Sequence, residues 1–280
     1  MNYRHVFHAG NFADVIKHAV LAFCIDYLLR KENPLCLVDA HGGAGLYDLR
    51  SDDAEKTGEW AKGIGALMSA ATNAGMGERV AALEPYLRLV REDVGDGFYP
   101  GSPLLLARRL RRQDRLIANE LHASTRDALH GTLAEFPAAR VTGMDAYECI
   151  RATIPPKERR GLVLIDPPFE EKNEFETLIR QMREWKKRWA TGVFLLWYPI
   201  KAVSPTDALK AEAAALGLPR TWCVETLIYP RGRALSLNGC GLILFNAPFT
   251  VPEAVETALP ALADAMRLHE THTAWLVPGT

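Results

Sequence analysis

The sequence predicts an α/β protein built on a mostly parallel, seven-stranded sheet that ends in an antiparallel hairpin and carries a small helical insertion. Three observations predict it. Short apolar runs alternate with stretches of helical periodicity along most of the chain, as in successive strand–helix units. Two of these runs end in an acid followed by residues that stop a strand. Leu35-Cys36-Leu37-Val38-Asp39 opens onto Gly42-Gly43-Ala44-Gly45, and Leu162-Val163-Leu164-Ile165 meets Asp166-Pro167-Pro168-Phe169. Ligands of open α/β sheets bind at such carboxyl ends. Finally, 280 residues at 48% hydrophobic and 24% charged content supply the core of one large soluble domain, and residues 1–280 are read as a single unit.

The chain opens with Tyr3-Arg4-His5-Val6-Phe7-His8, leading into a helix. Asn11 suits its N-cap, since a short side-chain oxygen there accepts free N–H groups of the first turn. Val15, Ile16, Ala19, Val20, Phe23 and Tyr27 give the helix an apolar face. Three histidines, a tyrosine and two cations within residues 1–18 are unusual for a terminus, which is ordinarily dispensable. The segment 1–18 is therefore expected to have a task of its own. In the glycine loop, Gly43 and Gly45 begin a dinucleotide fingerprint, but position 48 is Asp and no Gly-Lys-Ser/Thr follows. Such a loop lets backbone approach a ligand without cradling phosphate, and S-adenosylmethionine is a ligand of that kind.

Residues 48–97 show no strand pattern. Trp60, Ile64, Leu67 and Met68, then Val80, Leu83, Leu87 and Val90, read as two or three helices inserted between the first two strands. Tyr99-Pro100-Gly101-Ser102-Pro103 reads as a turn, with a helix over 104–112 that has Ser102 near its start. The second strand, 116–121, ends in Glu120, an acid placed to accept ribose hydroxyls. A short third strand at 138–143 precedes Met144-Asp145-Ala146, and Asp166 ends the fourth. A basic helix leads to a fifth strand over 191–199 and another helix spans 205–216. Runs at 221–228 and 241–246 form the closing hairpin. Residues 252–268 are an amphipathic helix. His269 and His272 at its end lack partner acids at ligand spacing, so no metal site is expected.

Asp166-Pro167-Pro168-Phe169 suits methylation of an exocyclic amino group on a base. The nitrogen lone pair of adenine's amino group is delocalised into the ring. Two acceptors aimed at its hydrogens, the Asp166 carboxylate and the Pro167 carbonyl, favour a pyramidal nitrogen whose lone pair faces a methyl donor in line. Phe169 is placed to stack on the extruded base.

A net charge of −1 announces no global basic field for nucleic acid. Arg108, Arg109, Arg111, Arg112 and Arg115 do cluster, and such a run is either a solvated helix face or a phosphate grip. The five cysteines form no Cys-x-x-Cys pair and read as reduced, buried thiols of a cytoplasmic protein. No apolar signal core or membrane-length run is present.

Residues 3–18, Tyr-Arg-His-x-Phe-His-Ala-Gly-Asn-x-Ala-Asp-Val-x-Lys-His, the loop Asp39-x-His41-x-Gly43-Ala44-Gly45, and Tyr99-Pro100-Gly101-Ser102-Pro103 together resemble the RlmJ family of bacterial 23S rRNA adenine-N6 methyltransferases. Ile165-Asp166-Pro167-Pro168-Phe169, the Trp197-Tyr198-Pro199 strand and the terminal Trp275-Leu276-Val277-Pro278 extend the likeness to nearly the whole chain. The resemblance implies a class I, Rossmann-like methyltransferase with S-adenosylmethionine as cofactor. It places His18, His41, Ser102, Glu120, Asp145, Ala146 and Asp166 around that cofactor. Asp166 and Pro167 would orient the adenine amino group, with Phe169 stacking on the base and Tyr3, His5 and Lys17 close to it. Ala146 stands where glycine is usual, and Phe169 where tyrosine is common. The implied partner is 23S rRNA before ribosome assembly is complete, acted on by a monomer without metal or membrane. A DNA adenine-N6 methyltransferase would share the tetrad but would bring a target-recognition domain and a more basic chain. A binder without turnover has no need of the tetrad, and the glycine spacing disfavours an oxidoreductase.

Overall fold

Alternation within the apolar runs sorts side chains onto two sides of a sheet. In Gly161–Ile165, Leu162 and Leu164 join one core, while Val163 and Ile165 join the other. The computed structural model describes residues 5–72, 80–201, 205–233 and 237–279. Its strands are β1 Cys36–Asp39, β2 Leu46–Asp48, β3 Phe98–Pro100, β4 Arg115–Asn119, β5 Ala139–Thr142, β6 Gly161–Ile165, β7 Val193–Ile200, β8 Thr221–Leu227, β9 Gly239–Phe245 and β10 Glu270–Val277. Eight form the main sheet in the order β10-β8-β9-β7-β6-β1-β4-β5, and β2 pairs with β3 in a separate ribbon. Strands β5, β4, β1, β6 and β7 run parallel. The hairpin partner β9 slips antiparallel between β7 and β8. Helices Phe12–Leu28 and Val251–Met266 cover one face, and Ala146–Thr153, Glu174–Trp189 and Thr206–Ala215 cover the other.

The seven expected strands are present, and an eighth joins them. Glu270–Val277 pairs antiparallel with β8. Its first four residues are polar, with Glu270, Thr271 and His272 exposed, so the run lacks the apolar signature of a buried strand. A second difference lies at 99–100, where the expected turn is instead β3. Tyr99 pairs across to Tyr47 and is fully buried.

Helix Phe12–Leu28 is buried on nearly every side, not along one face. Asn11 caps it as expected, its Oδ1 accepting from Ala13 N at 2.9 Å and Asp14 N at 3.0 Å. The far side of the helix is covered by the inserted region, whose described helices are Asp52–Thr57, Glu59–Lys62, Ile64–Thr72 and Glu84–Gly95. The insert also grips the N-terminal segment. Thr57 donates to Phe7 O at 2.6 Å, Asn11 donates to Glu59 at 2.9 Å, and His8 Nδ1 lies 3.0 Å from the same carboxylate.

The arginine run is neither the helix face nor the open patch that its spacing suggests. The helix ends at Ala107, and four of the five arginines that follow are ion-paired. Arg108 pairs with Asp93, Arg109 with Asp26, Arg111 with Asp114 and Arg115 with Glu158. Arg115 begins β4, so the run sits at the amino edge of the sheet, opposite the strand ends that bind ligands. Asp114 is buried, yet Arg111 and two backbone N–H groups outweigh the upward push of burial and hold its carboxyl below the usual range. Arg111 also donates to the carbonyls of Lys31 and Asn33. Arg111→Ala is accordingly expected to cost about 2 kcal/mol, the scale of hydrogen bonds to a charged group. A lower urea midpoint, with the salt dependence of nucleic-acid binding unchanged, would show it.

Candidate active site

Within the main sheet, the next strand in sequence after β1 is β4 on one side, and β6 adjoins it on the other, which makes the carboxyl ends of β1 and β6 the switch point of the sheet. A cavity of about 760 Å³ opens there, a usual size for a small-molecule site.

The loop after β1 forms one wall. Gly43 takes φ +61°, and a Cβ there would lie 2.1 Å from the Tyr47 hydroxyl, so only glycine fits. Gly43 N donates to Glu120 Oε2 at 3.0 Å, and Gly42 N to Asn119 O at 2.7 Å, pinning the loop to the end of β4. His122 N donates to the other Glu120 oxygen at 2.8 Å, which orients this acid at the cavity lip. Asp145 caps the helix Ala146–Thr153 through Tyr147 N and Glu148 N, and both Asp145 and Ala146 line the cavity. Ser102 lines it from the start of its helix.

His18 reaches the cavity from the buried helix. Its Nδ1 lies 2.8 Å from the Tyr99 hydroxyl, which contacts that of Tyr86 at 3.0 Å. Burial lowers the His18 pKa to about 3, so the ring is neutral, and its buried Nε2 has no partner among the described residues. With Tyr99 donating to Nδ1, the ring proton sits on Nε2. An orphaned buried donor on a cavity wall is costly unless a ligand satisfies it. Asp39 likewise keeps one oxygen unpartnered, and burial pushes its pKa up to about 6 against the pull of Ser102 and Lys17.

The opposite end of the cavity holds the acid of the tetrad. Asp166 N donates to His41 Nδ1 at 3.2 Å, which fixes His41 as the neutral tautomer with its proton on Nε2, and burial lowers its pKa to about 4. The Asp166 side chain meets the N-terminal helix. Lys17 Nζ donates to Asp166 Oδ2 at 2.5 Å and to Asp14 Oδ1 at 2.7 Å. Asp14 Oδ2 in turn accepts from Gly10 N at 3.1 Å and lies 2.9 Å from His5 Nε2. Burial opposes both charges, but the pairings win: the Lys17 ammonium is held well above its ordinary pKa and the Asp14 carboxyl well below. One chain of polar contacts, His5–Asp14–Lys17–Asp166, thus joins the N-terminal segment to the residue that follows β6.

The structure brings His5, Lys17, His18, His41, Ser102, Glu120, Asp145, Ala146, Asp166 and Pro167 to the one cavity. Phe169 stands apart from them. Its backbone takes φ +52°, uncommon for a bulky residue, and its ring packs outside the cavity against Phe175 at 4.8 Å and Trp197 at 5.8 Å. Tyr3 lies outside the described residues. Four contributors escaped the sequence reading: Asp14, Tyr99, Asn119 and Tyr147. Asp14 sits three residues before Lys17 on a helix, so that pair was readable. Asn119 bonds the backbones of Ala40 and Met144, and Tyr147 donates to Glu174; these are tertiary contacts with no local signal.

The two neutral histidines make stability depend on pH. Unfolded, they take up protons below about 6.5, whereas the folded chain refuses them until about 4 for His41 and about 3 for His18. Stability is therefore lost as pH falls through that window. Asp39 has the opposite sign, because its folded carboxyl protonates near 6 and the unfolded one only near 3.8. Two groups oppose one, so the urea midpoint is expected to be lower at about pH 4.5 than at about pH 7. Equal midpoints would overturn the neutral burial of the histidine pair.

An open α/β sheet with one antiparallel strand slipped between its two predecessors, and a phosphate-free ligand loop at its switch point, is the architecture of class I S-adenosylmethionine-dependent methyltransferases. Comparison with known proteins narrows the class. The family model described as "Ribosomal RNA large subunit methyltransferase D, RlmJ" matches residues 32–277. Ribosomal RNA large subunit methyltransferase J of Escherichia coli (strain K12) is 35% identical, with 99% of each chain covered. The enzyme of the same name from Haemophilus influenzae (strain ATCC 51907) is 34% identical over 95% of this chain and 94% of that one. A crystal structure from Legionella pneumophila strain Philadelphia 1 superposes with a TM-score of 0.83 at 28% identity, covering 95% of this chain and 97% of that one. The chain belongs to the RlmJ family of ribosomal RNA large subunit methyltransferases.

Proposed function

We propose that this protein transfers a methyl group from S-adenosylmethionine to the N6 amino group of an adenine in 23S rRNA. The observation that carries the reading is the position of Asp166 at the switch-point cavity, with one carboxylate oxygen held by buried Lys17 and the other left for a substrate amino group. The cavity residues fit the cofactor. Glu120 stands where ribose hydroxyls need an acceptor. Asp145 and the Ala146 backbone offer polar contacts to an adenine, while His18 Nε2 and Ser102 are donors for the amino-acid end. When bound, the cofactor supplies an electrophilic methyl on a sulfonium.

The chain's own residues do the rest. Lys17 fixes the carboxylate plane through Oδ2, so Oδ1 and the Pro167 carbonyl both accept from the target amino group and its lone pair is turned toward the methyl. Because Lys17 already donates to one Asp166 oxygen, Asp166 acts chiefly as a hydrogen-bond acceptor, and the proton released after transfer passes to Asp166 or to water. Phe169, anchored by Phe175 and Trp197, offers its ring to the base from outside the cofactor cavity. The segment 5–18, held by Asp14, covers the reacting end, and Tyr3 is assigned to the same task. We assign the enzyme to the bacterial cytoplasm, as a monomer acting on rRNA before the large subunit is fully assembled. No helix among the described residues is long and apolar enough to cross a membrane.

The test is methyl transfer from labelled S-adenosylmethionine to deproteinised 23S rRNA, to intact large subunits and to duplex DNA, with nucleoside analysis of the products. N6-methyladenosine in the free RNA alone supports the chemistry, the RNA partner and the timing. Label in intact subunits overturns the timing, label in DNA overturns the partner, and a different modified nucleoside overturns the chemistry.

A further inference from the structure

Strand β6 ends at Ile165, opposite Leu196, but β7 continues to Ile200, where it pairs with Gly239 at the start of β9. Leu227 of β8 ends beside the same Gly239. The three strands thus overshoot the end of β6 at Ile165 by four residues, about 13 Å at the usual rise per residue. They raise a wall beside the catalytic edge, and the segment after β8 stands on top of it. Its described residues, 228–233 and 237–238, are bonded to one another. Asn238, with no exposed surface, donates through its side-chain amide to Arg231 O at 3.0 Å and Arg233 O at 2.8 Å. Its backbone is bonded to Ile200, Ile228 and Tyr229. Arg231 is spent on the buried carboxylate of Glu225. Tyr229 is exposed, and the Arg233 guanidinium lies over its ring at 3.8 Å. Exposed Lys201 leaves the end of β7 beside them, and among the described residues neither Lys201 nor Arg233 has an acidic partner.

We propose that Tyr229, Arg233 and Lys201 form a second RNA contact that takes the single-stranded nucleotides flanking the target adenine; this rests on the rRNA methyltransferase reading. An aromatic ring backed by a guanidinium is a surface on which an unpaired base stacks, and free cations beside it neutralise phosphates. The patch lies on the edge where the target base must enter, whereas the arginine run at 108–115 lies on the other edge and is largely consumed by carboxylates. The two exposed aromatics Phe249 and Trp275 also sit at that far edge, flanking Arg220.

The experiment measures kcat and KM for a hairpin RNA cut from 23S rRNA around its methylated adenine, over a salt series. It compares wild type with Tyr229→Ser, Lys201→Ser/Arg233→Ser and, as a far-edge control, Phe249→Ser. Tyr229→Ser is expected to raise KM for RNA about tenfold. The double variant should flatten the salt slope by about 1.4, with kcat and cofactor affinity unchanged in both. Wild-type KM and slope in these variants, or an equal rise in Phe249→Ser, overturn the assignment while leaving the activity standing. A wild-type enzyme that methylates no RNA overturns the functional reading itself, and this contact with it.

Discussion

Asp166→Asn is expected to lower kcat for methyl transfer by about a hundredfold or more, the scale seen when one preorganised hydrogen-bonding group of an active site is removed, while the enzyme still binds S-adenosylmethionine. The substitution is nearly isosteric, so the loss has a specific origin. Lys17 Nζ can only donate, and at 2.5 Å from Oδ2 it selects the amide oxygen for itself. The amide nitrogen is then turned toward the substrate amino group, so that donor meets donor. The backbone contact from Asp166 N to His41 is untouched, which preserves the cofactor wall. Isothermal titration with the cofactor and single-turnover transfer to RNA separate the two effects. Turnover equal to wild type would remove Asp166 from the mechanism.

Lys17→Met should be the most damaging single change to the fold within the site. It leaves Asp14 and Asp166 as close carboxylates without the buried cation between them, and breaking a buried pair from one side costs about 3–5 kcal/mol. Urea unfolding measures that loss, and turnover is expected to fall with it. The double variant Lys17→Met/Asp14→Asn distinguishes structure from catalysis. Removing the second charge should restore much of the stability, yet without Lys17 the Asp166 carboxylate is no longer held in plane and turnover stays low. Recovery of turnover in the double variant would reduce Lys17 to a structural ion pair.

The parallel sheet and its ligand edge were legible because buried strands write themselves as short apolar runs, and because Asp39 and Asp166 each stand where such a run is stopped. The cap at Asn11 was local chemistry and equally plain. What the sequence concealed was tertiary. Glu270–Val277 sets four polar residues before four apolar ones at an exposed edge and so shows no strand alternation. Tyr99 sits before Pro100-Gly101, a turn signal that its burial against Tyr47 and His18 overrides. The arginine run was the most conspicuous feature of the charge pattern and proved structural, since the acids that pair with most of it lie elsewhere in the chain. The site residues drawn from the family resemblance converge on one cavity, apart from Phe169, whose ring is held just outside it, and Tyr3, which lies beyond the described residues.

The ribbon of β2 and β3 sets how freely the enzyme can change its inserted region. Since Asp48 pairs directly with Phe98, everything between them leaves and rejoins the chain at one gate. Lineages can lengthen, shorten or replace such an excursion while the main sheet keeps its register. Tyr86 limits that freedom, because it passes through the gate by way of Tyr99 to His18. Thr57 and Glu59 limit it further, because they hold the N-terminal segment, so the excursion is portable only with these contacts.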